Sequence, residues 1–457
     1  SKMITNYFDL LLSPIYLIII YFLASAHQEK HIHKNPAYKY YTKGLFVKLL
    51  GAIGVCIIYQ FYYSGGDTIN YFTTSEAISN MLFKDPIVFI DIMMGDNSWE
   101  AYSNFDPDTG FPLYWLDKHA FFVSRLITPI ILLSCKTFVP AALLLAWFCY
   151  SGLWRLFLLF NYHFPQIQRQ LAIAILFIPS VVFWGSGLLK DTITLSAVGW
   201  YTYHFYLFFI QKRYKVSGAI CIFISAFLLI AIKPYILFAL LPGSLIWLSN
   251  ERIARIRNRF MRVVAAPMLI TFGIGASFLA LSQMGDFLGH YAIDNVLERA
   301  VVVNLDQKQE YYGGNSFDIG EFDATIGSML GKAHLAIAYA LFGPFLWEVR
   351  NPVMLLSAIE NTYIMLLTVF LLFRLKFFGF FTLIGKNPLL LFSVLFSLFF
   401  AFSVGIATSN FGSLVRLKIP CIPFYVSSLF VLKHFYDERR NRIKMRYVKK
   451  QKQTAVI

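Results

Sequence analysis

The chain has 457 residues, of which 58% are hydrophobic and 14% are charged, and its formal net charge is +15. Soluble domains average about 25% charged residues, so this composition excludes an ordinary soluble protein and predicts an all-α polytopic membrane protein. The basic residues cluster in short loops and in the C-terminal tail, as the positive-inside rule expects. We therefore expect membrane lipids, and no nucleic acid, among its partners.

Eleven apolar runs in the sequence are long enough to cross about 30 Å of hydrocarbon. They are residues 10–26, 45–63, 138–160, 171–187, 192–210, 217–232, 234–248, 263–283, 353–373, 388–406 and 418–434. The first run ends in Ala24-Ser25-Ala26, which is typical of a signal-peptide cleavage site, but we interpret it as a first transmembrane helix. Two shorter runs, 120–134 and 333–347, are bounded by proline or glycine.

The positions of the basic residues select one topology. The basic segments are 27–43, 212–215, 251–262, 374–386 and the tail from Lys433. All of them lie on the cytoplasmic side if the two shorter runs enter and leave on the outer side as re-entrant or interfacial segments, which is allowed where protein covers the backbone. This arrangement predicts about 11 transmembrane helices, with the N-terminus outside and the C-terminus in the cytoplasm.

The predicted organisation is one transmembrane domain, residues 1–434, followed by a basic cytoplasmic tail, residues 435–457. Two long outer loops, about 64–119 and 285–332, carry much of the acidic charge of the chain. We expect amphipathic outer-loop helices in the plane of the interface, at residues 73–83 and 86–94. The loop carboxylates would suit a divalent metal, but no ligand spacing identifies one, so the sequence leaves the cofactor unknown.

The segment Gly65-Gly66-Asp67-Thr68 follows the second apolar run and begins the first outer loop. The glycines permit positive φ and close backbone approach, and Asp67 is placed to act as a catalytic base on a hydroxyl acceptor. The alternative is structural, because Asp67 or Thr68 would also cap a helix that continues through Tyr71. One aspartate can act as a catalytic base and also cap a helix. We expect Tyr71 to line the substrate cleft.

Residues 185–191, Gly-Ser-Gly-Leu-Leu-Lys-Asp, interrupt two apolar runs at the outer side. Lys190 would hold a lipid-linked phosphate there, and Asp191 would line the cleft. The alternative is a hairpin turn with an ion pair. Lys233-Pro234-Tyr235 is similar: Lys233 either binds the donor phosphate or extends to the interface beside a helix-breaking proline, and Tyr235 would line the cleft.

Arg416 and Lys418, which precede Pro420, are the strongest candidates for binding a phosphate or diphosphate. A guanidinium presents a planar fork that matches phosphate oxygens, and two cations suit a diphosphate. Their predicted position on the outer side is one where loop basicity is disfavoured. A loop without a function therefore explains the presence of these two basic residues less well than a phosphate-binding site does.

Glu360 lies within an apolar run, where a carboxylate is costly without a partner and is a functional candidate by default. We predict a catalytic role for it. The alternative is a buried ion pair with Arg350 or Lys332. Tyr311 and Tyr312, in the second outer loop, would line a sugar cleft by stacking, or would simply belong to a turn.

Three further features have structural interpretations. Lys48 and Arg155 lie near predicted cytoplasmic helix ends, where long basic side chains usually extend to the interface. The tract of His27, His31 and His33 is similar to a metal-binding tract but lies in a basic loop. The five cysteines occur singly in apolar runs, without metal-site or disulfide spacing.

At these motifs the chain resembles multi-spanning enzymes of bacterial surface-polysaccharide assembly. The stretch from Gly65 to Tyr71 is similar to the Gly-x-Asp-x-x-x-Tyr element of Wzy/EpsG-type polymerases, and an acidic residue in the first outer loop is also a feature of GT-C glycosyltransferases. The ending Arg416-x-x-x-Pro420-x-x-Pro423 is similar to the Arg-then-Pro helix start near the C-terminus of many such proteins. Lys190 stands where the polymerase pattern has arginine.

The resemblance implies a glycosyltransferase or polysaccharide polymerase at the outer face of a bacterial inner membrane. Its partners would be a polyprenyl-phosphate-linked sugar donor and a glycan or other hydroxyl acceptor. A transporter of a lipid-linked glycan or an anionic solute is the alternative, since broken helices with Gly and Pro near charge would serve it as well. A non-enzymatic envelope scaffold is a third hypothesis.

Overall fold

The computed structural model describes residues 4–283, 293–308 and 315–454. Within these ranges every regular element is a helix, and an isolated antiparallel bridge pairs Ser316 with Asn410. The all-α class is therefore confirmed. The α-helices are α1 (Tyr7–Ile32), α2 (Tyr41–Ile57), α3 (Asp67–Lys84), α4 (Pro86–Met94), α5 (Trp99–Tyr102), α6 (Lys118–Leu133), α7 (Phe138–His163), α8 (Gln168–Ala172), α9 (Pro179–Trp184), α10 (Lys190–Phe205), α11 (Val216–Ile232), α12 (Pro234–Ala254), α13 (Arg259–Gln283), α14 (Ile293–Asp306), α15 (Ile326–Gly331), α16 (Ala333–Phe342), α17 (Pro352–Leu375), α18 (Phe377–Lys386), α19 (Pro388–Ala407), α20 (Phe411–Leu417) and α21 (Ile422–Thr454).

Several helices in the described ranges are long and apolar enough to cross a membrane. Five qualify alone, and α20 with the first part of α21, bent by 71°, makes up to six. The five are Tyr7–Ile32, Pro36–Tyr62, Phe138–His163, Met354–Leu375 and Pro388–Ala407. Shorter apolar helices include Val216–Ile232 and Pro234–Asn250. The membrane character predicted from composition is consistent with these helices, whereas the total of about 11 crossings stays a prediction.

The exposed surface of α1 is strongly apolar. Of its residues only Asp9, Ile20 and Ala24 are buried, while Leu10 is 77% exposed and Phe22 is 67% exposed. Water would disfavour such a surface, but hydrocarbon would not. This helix therefore has the outer surface that contact with lipid requires.

Helices lie at all eleven of the predicted apolar runs. The run at 171–187 is the most broken, because Pro179 cannot continue a helix and leaves Ile178 in an extended conformation with ψ of 123°. A π-helical turn, Ile173–Phe177, precedes this break, and similar turns follow α2 at Ile58–Tyr62 and α10 at Tyr206–Ile210. Such turns are common at functional sites. The two shorter runs, 120–134 and 333–347, correspond to α6 and α16.

The chain divides into two compact units. Unit 1 contains the described residues of 1–159, 175–238 and 278–296, and unit 2 contains those of 160–174, 239–277 and 297–457. In unit 1, α3 packs on α6, α10 packs on α11, and α2 packs on α1 and α9. In unit 2, α16 packs on α19, and both α17 and α19 pack on α21. The helix α21 continues through residue 435, where the predicted tail begins.

Within unit 1, α7 and α10 are in backbone contact. A Cβ added to Gly152 would overlap the carbonyl oxygen of Ser196, and one added to Gly199 would overlap the carbonyl oxygen of Gly152. Small residues allow this close packing of helices. The contact positions α10, whose first residues carry predicted site residues.

Candidate active site

A glycine turn joins α2 to α3. Gly65 and Gly66 have φ values of 153° and 108°, in the range that favours glycine. A Cβ on Gly66 would also lie 2.9 Å from the ring of Tyr59. Both the backbone conformation and the neighbouring ring therefore require a glycine at position 66.

Asp67 is the first residue of α3 and is half-buried. Its Oδ1 accepts a hydrogen bond of 2.8 Å from the hydroxyl of Tyr114. Nδ2 of Asn70 lies 3.5 Å from the same hydroxyl. The Tyr114 ring lies 4.8 Å from the ring of Tyr71, which is only 1% exposed and supports Tyr114 from the interior. The carboxylate of Asp67 is thus oriented by a phenol from a distant loop.

The N-cap of α3 is Gly66, which makes no side-chain capping bond. Asp67 therefore occupies the first turn, where a carboxylate interacts favourably with the helix dipole. Thr68 also lies inside the helix and is buried. The carboxylate of Asp67 therefore lies at the N-terminal end of the helix dipole of α3.

Tyr114 is a site residue that sequence reasoning missed, and Thr74 fixes its position. The Oγ1 atom of Thr74 accepts hydrogen bonds from the backbone N–H groups of Leu113, at 3.1 Å, and Tyr114, at 3.2 Å. Thr74 lies seven residues after Asp67 and therefore on the same face of α3. That helical spacing of polar residues was the available signal for Thr74, whereas no charge or motif marks Tyr114.

An ion pair anchors the loop that carries Tyr114. Nζ of Lys84 lies 2.6 Å from Oδ2 of Asp106, and the N–H of Thr109 donates to Oδ1 of Asp106 at 2.9 Å. The hydrogen bond from Lys84, followed by those from the Thr109 and Asp108 N–H groups, lowers the pKa of Asp106 to about 2. A lowered pKa means that the stabilisation is complete above the usual aspartate pKa and is lost as the pH falls through the folded value.

We expect the loop to be ordered by Asp106 at pH 4 and released as the pH falls to about 2. Pepsin, normalised with an unfolded substrate at each pH, should cleave near Phe105 increasingly below pH 4 in the wild-type protein. The Asp106→Asn variant should already be cleaved at pH 4. Asp108→Asn, at an exposed neighbouring position, is the control and should follow the wild-type protein. Equal cleavage of all three proteins at pH 4 would contradict the anchoring role.

One hydrophobic cluster brings the first turn of α3 and the turn before α10 together in unit 1. Ile69 follows Asp67 by two residues, and Leu189 immediately precedes Lys190. The cluster contains buried Val55, Tyr59 and Leu189, with Ile69, Phe183 and Trp184 packed against them. Two of the three segments singled out in the sequence therefore meet at one end of this unit.

A buried ion pair adds the start of α12 to the same region. Nζ of Lys233 contacts Oδ1 of Asp191, and both side chains are 1% exposed. Nearby, Nδ1 of His119 lies 2.6 Å from the carbonyl oxygen of Ala231. The neighbouring residues Lys190 and Tyr235 are half-buried. The ammonium of Lys233 is thus engaged inside the protein.

Lys48 has a different environment from the one expected in the sequence. It is 2% exposed, and its Nζ donates to the carbonyl oxygen of Gly185. It extends into unit 1 rather than towards an interface. A buried ammonium at the end of the short helix α9 is a second feature that the sequence did not indicate.

Lys418 is the centre of a buried polar group in unit 2. It is 0% exposed, and its Nζ donates to Oδ1 of Asn361 at 2.7 Å and to the carbonyl oxygen of Gly343 at 3.2 Å. Nδ2 of Asn361 donates to the same carbonyl oxygen at 2.7 Å. Glu360, which is half-buried, acts electrostatically on Lys418. Arg350, one of the two residues suggested as an ion-pair partner of Glu360, is exposed.

Arg416 lies in the last turn of α20 and is half-buried. It belongs to unit 2, as do Lys418 and Glu360, while Asp67 and Lys190 belong to unit 1. Tyr311 and Tyr312 lie outside the described residues. That Asp67 and Arg416 belong to one site stays a prediction.

No group of three or more His, Cys, Asp or Glu side chains is placed to hold a metal ion within the described ranges. This statement includes the tract of His27, His31 and His33, where the His27 and His31 rings lie 4.3 Å apart. No protein-family model, curated protein or solved structure matches the chain.

Proposed function

We propose that the chain is a membrane glycosyltransferase or polysaccharide polymerase that uses a polyprenyl-phosphate-linked sugar donor. The observation that carries this proposal is the environment of Asp67, a half-buried carboxylate oriented by Tyr114. The first helical turn of α3, which begins at Asp67, packs in one cluster with the turn that leads to Lys190. Transfer of a sugar from a phosphate-linked donor requires a base for the acceptor hydroxyl and a cation for the phosphate leaving group.

In the proposed reaction, Asp67 removes the proton from the acceptor hydroxyl as its oxygen attacks the anomeric carbon. The bond from that carbon to the phosphate oxygen breaks, so the polyprenyl phosphate or diphosphate leaves with the electron pair, and the anomeric configuration inverts. Lys190, Arg416 and Lys418 would stabilise the leaving group electrostatically, with Lys233 as a further donor-binding residue. Glu360 would be a second catalytic carboxylate.

The remaining predicted residues belong to the substrate cleft in this proposal: Tyr235, Tyr311 and Tyr312 would line it, and the buried residues Tyr71 and Asp191 would support it from the interior. The pair of Asp191 with Lys233 supports a positioning role, because it holds the second residue of α10 beside the start of α12. It thereby fixes the direction of the helix end that carries Lys190.

The proposal places the protein in a bacterial inner membrane, with about 11 crossings, the N-terminus outside and the tail in the cytoplasm. The apolar helices and the lipid-compatible surface of α1 support the membrane location, and the charge distribution of the sequence is the basis for the orientation. In spheroplasts, a protease added outside should leave an epitope at the C-terminus intact, and disruption of the membrane should expose it.

A transporter of a lipid-linked glycan or an anionic solute is the second candidate. The observation that favours it is the pairing of broken helices with buried ammonium groups: Lys48 binds the carbonyl after α9, and Lys418 lies between α20 and α21. Discontinuous helices beside charges are typical of transporters.

Replacing Asp67 with asparagine tests the enzyme against the transporter. In cells that depend on the introduced gene, Asp67→Asn should reduce surface glycan about 10²–10⁴-fold, with lipid-linked precursor accumulating at the outer face and with unchanged protein level. Precursor that accumulates inside would indicate a transporter, and unchanged glycan would exclude Asp67 as the base. The control is Asp108→Asn, an exposed aspartate of the same outer loop, which should give wild-type glycan.

A further inference from the structure

Arg155 is a half-exposed cation stacked on an aromatic ring. Its guanidinium carbon lies 3.5 Å from the ring centroid of Trp200, and its Nη1 donates to the carbonyl oxygen of Ser151 at 3.3 Å. Nε1 of Trp200 donates to Oγ of Ser151 at 2.9 Å, which fixes the ring. No carboxylate of the described residues lies within ion-pair distance of Arg155.

Several polar side chains lie close enough to this guanidinium to interact with it electrostatically. The phenols of Tyr38, Tyr41 and Tyr203 are its electrostatic neighbours, and Arg155 in turn acts on His27. We call these six residues, Arg155, Trp200, Tyr38, Tyr41, Tyr203 and His27, the Arg155 cluster. The Trp154 ring lies 5.0 Å from the rings of Tyr38 and Tyr41, and its buried Nε1–H has no acceptor among the described residues.

An apolar groove begins beside the Arg155 cluster. It has a volume of about 470 Å³ between α1 and α2, and the residues that line it include Ala24 and Thr42. Thr42 follows Tyr41, and Ala24 lies one helical turn before His27. The other lining residues are Leu17, Ile18, Ile20, Tyr21, Phe22, Leu45, Phe46 and Leu49. The hydrocarbon-lined groove therefore includes residues that are close in the chain to Tyr41 and His27 of the Arg155 cluster.

We propose that the Arg155 cluster and this groove bind one anionic phospholipid, with the phosphate at Arg155 and an acyl chain along the groove. The stacked guanidinium is held in one orientation and presents N–H donors that match phosphate oxygens. A partly buried cation without a carboxylate costs free energy, which an anionic headgroup would offset. The groove favours a lipid over free phosphate, because phosphate alone would leave the apolar lining unused.

This lipid site is separate from the candidate active site. Tyr41 begins α2, whereas the glycine turn follows the other end of that helix, about 30 Å away at 1.5 Å per residue. The proposal therefore stands whether or not the chain transfers sugars.

Native mass spectrometry of the purified full-length protein in detergent tests the proposal, with phosphatidylglycerol, phosphatidylcholine and inorganic phosphate as probes. The wild-type protein should retain phosphatidylglycerol at least about tenfold better than phosphatidylcholine, which corresponds to about 1.4 kcal/mol. Arg155→Gln should abolish this preference. Arg155→Lys keeps the charge but not the planar fork, so it should fold as the wild-type protein does and lose part of the preference.

Arg169→Gln, which removes an exposed arginine, is the matched control and should keep the full preference. An unchanged preference in Arg155→Gln would overturn the proposal. If that variant does not fold, an unchanged preference in Arg155→Lys would overturn it as well. Displacement of phosphatidylglycerol by an equal concentration of inorganic phosphate would overturn the lipid assignment and leave a simple anion site.

Discussion

The Lys233→Met variant should be less stable than the wild-type protein by about 3–5 kcal/mol. The substitution removes one member of a pair whose side chains are both 1% exposed, and it leaves the carboxylate of Asp191 buried beside an apolar side chain. Taking a charge out of water is costly, and most of that cost is not recovered once the partner is absent. Thermal unfolding in detergent, monitored by circular dichroism, measures the effect.

The control for surface charge is Lys43→Met, because Lys43 is an exposed lysine in the same unit. It should change stability by less than about 0.5 kcal/mol. The double variant Asp191→Leu/Lys233→Met removes both charges and should recover most of the loss. If the double variant is as unstable as Lys233→Met alone, the ion pair is not the reason for the destabilisation.

Gly199→Ala should destabilise unit 1 by about 1–3 kcal/mol or more. The added Cβ would overlap the backbone carbonyl oxygen of Gly152 on α7, and a backbone atom cannot rotate away as a side chain can. The two helices would have to separate, which opens gaps in the packing around them. The same unfolding measurement shows the effect, together with a loss of monodisperse protein in size-exclusion chromatography.

Gly54→Ala provides the matched comparison. Its new Cβ would lie 3.5 Å from the ring of Phe183, an ordinary contact, and alanine favours a helix over glycine by about 1 kcal/mol. Gly54→Ala should therefore be neutral or stabilising. Equal unfolding temperatures for the two variants would show that the contact between α7 and α10 does not limit the packing.

The candidate site was predictable from the sequence at the positions where glycine or proline interrupts a hydrophobic run. The glycines before Asp67 indicate a turn because few other residues adopt the φ values of 153° and 108° found there. Pro234 similarly indicates the helix start beside Lys233. These signals are local, since a chain reversal depends on the residues that make it.

Hydrogen-bond partners were not predictable in this way. Asp67 is bonded to a residue 47 positions along the chain, Lys233 to one 42 positions away, and Lys418 to one 57 positions away. Sequence reasoning assigned Lys233 to a phosphate or an interface and Lys48 to an interface, whereas both ammonium groups are buried.

The sequence by itself determined the all-α class and the position of each long apolar helix, because hydrophobic length and helix-breaking residues act within a single segment. The tertiary structure decided which charges are paired, which are buried, and that Tyr114 orients Asp67. It also placed Arg155 against Trp200 beside an apolar groove. The physical reason is that the state of a charge depends on its neighbours in space, and helix packing brings those neighbours from distant parts of the chain.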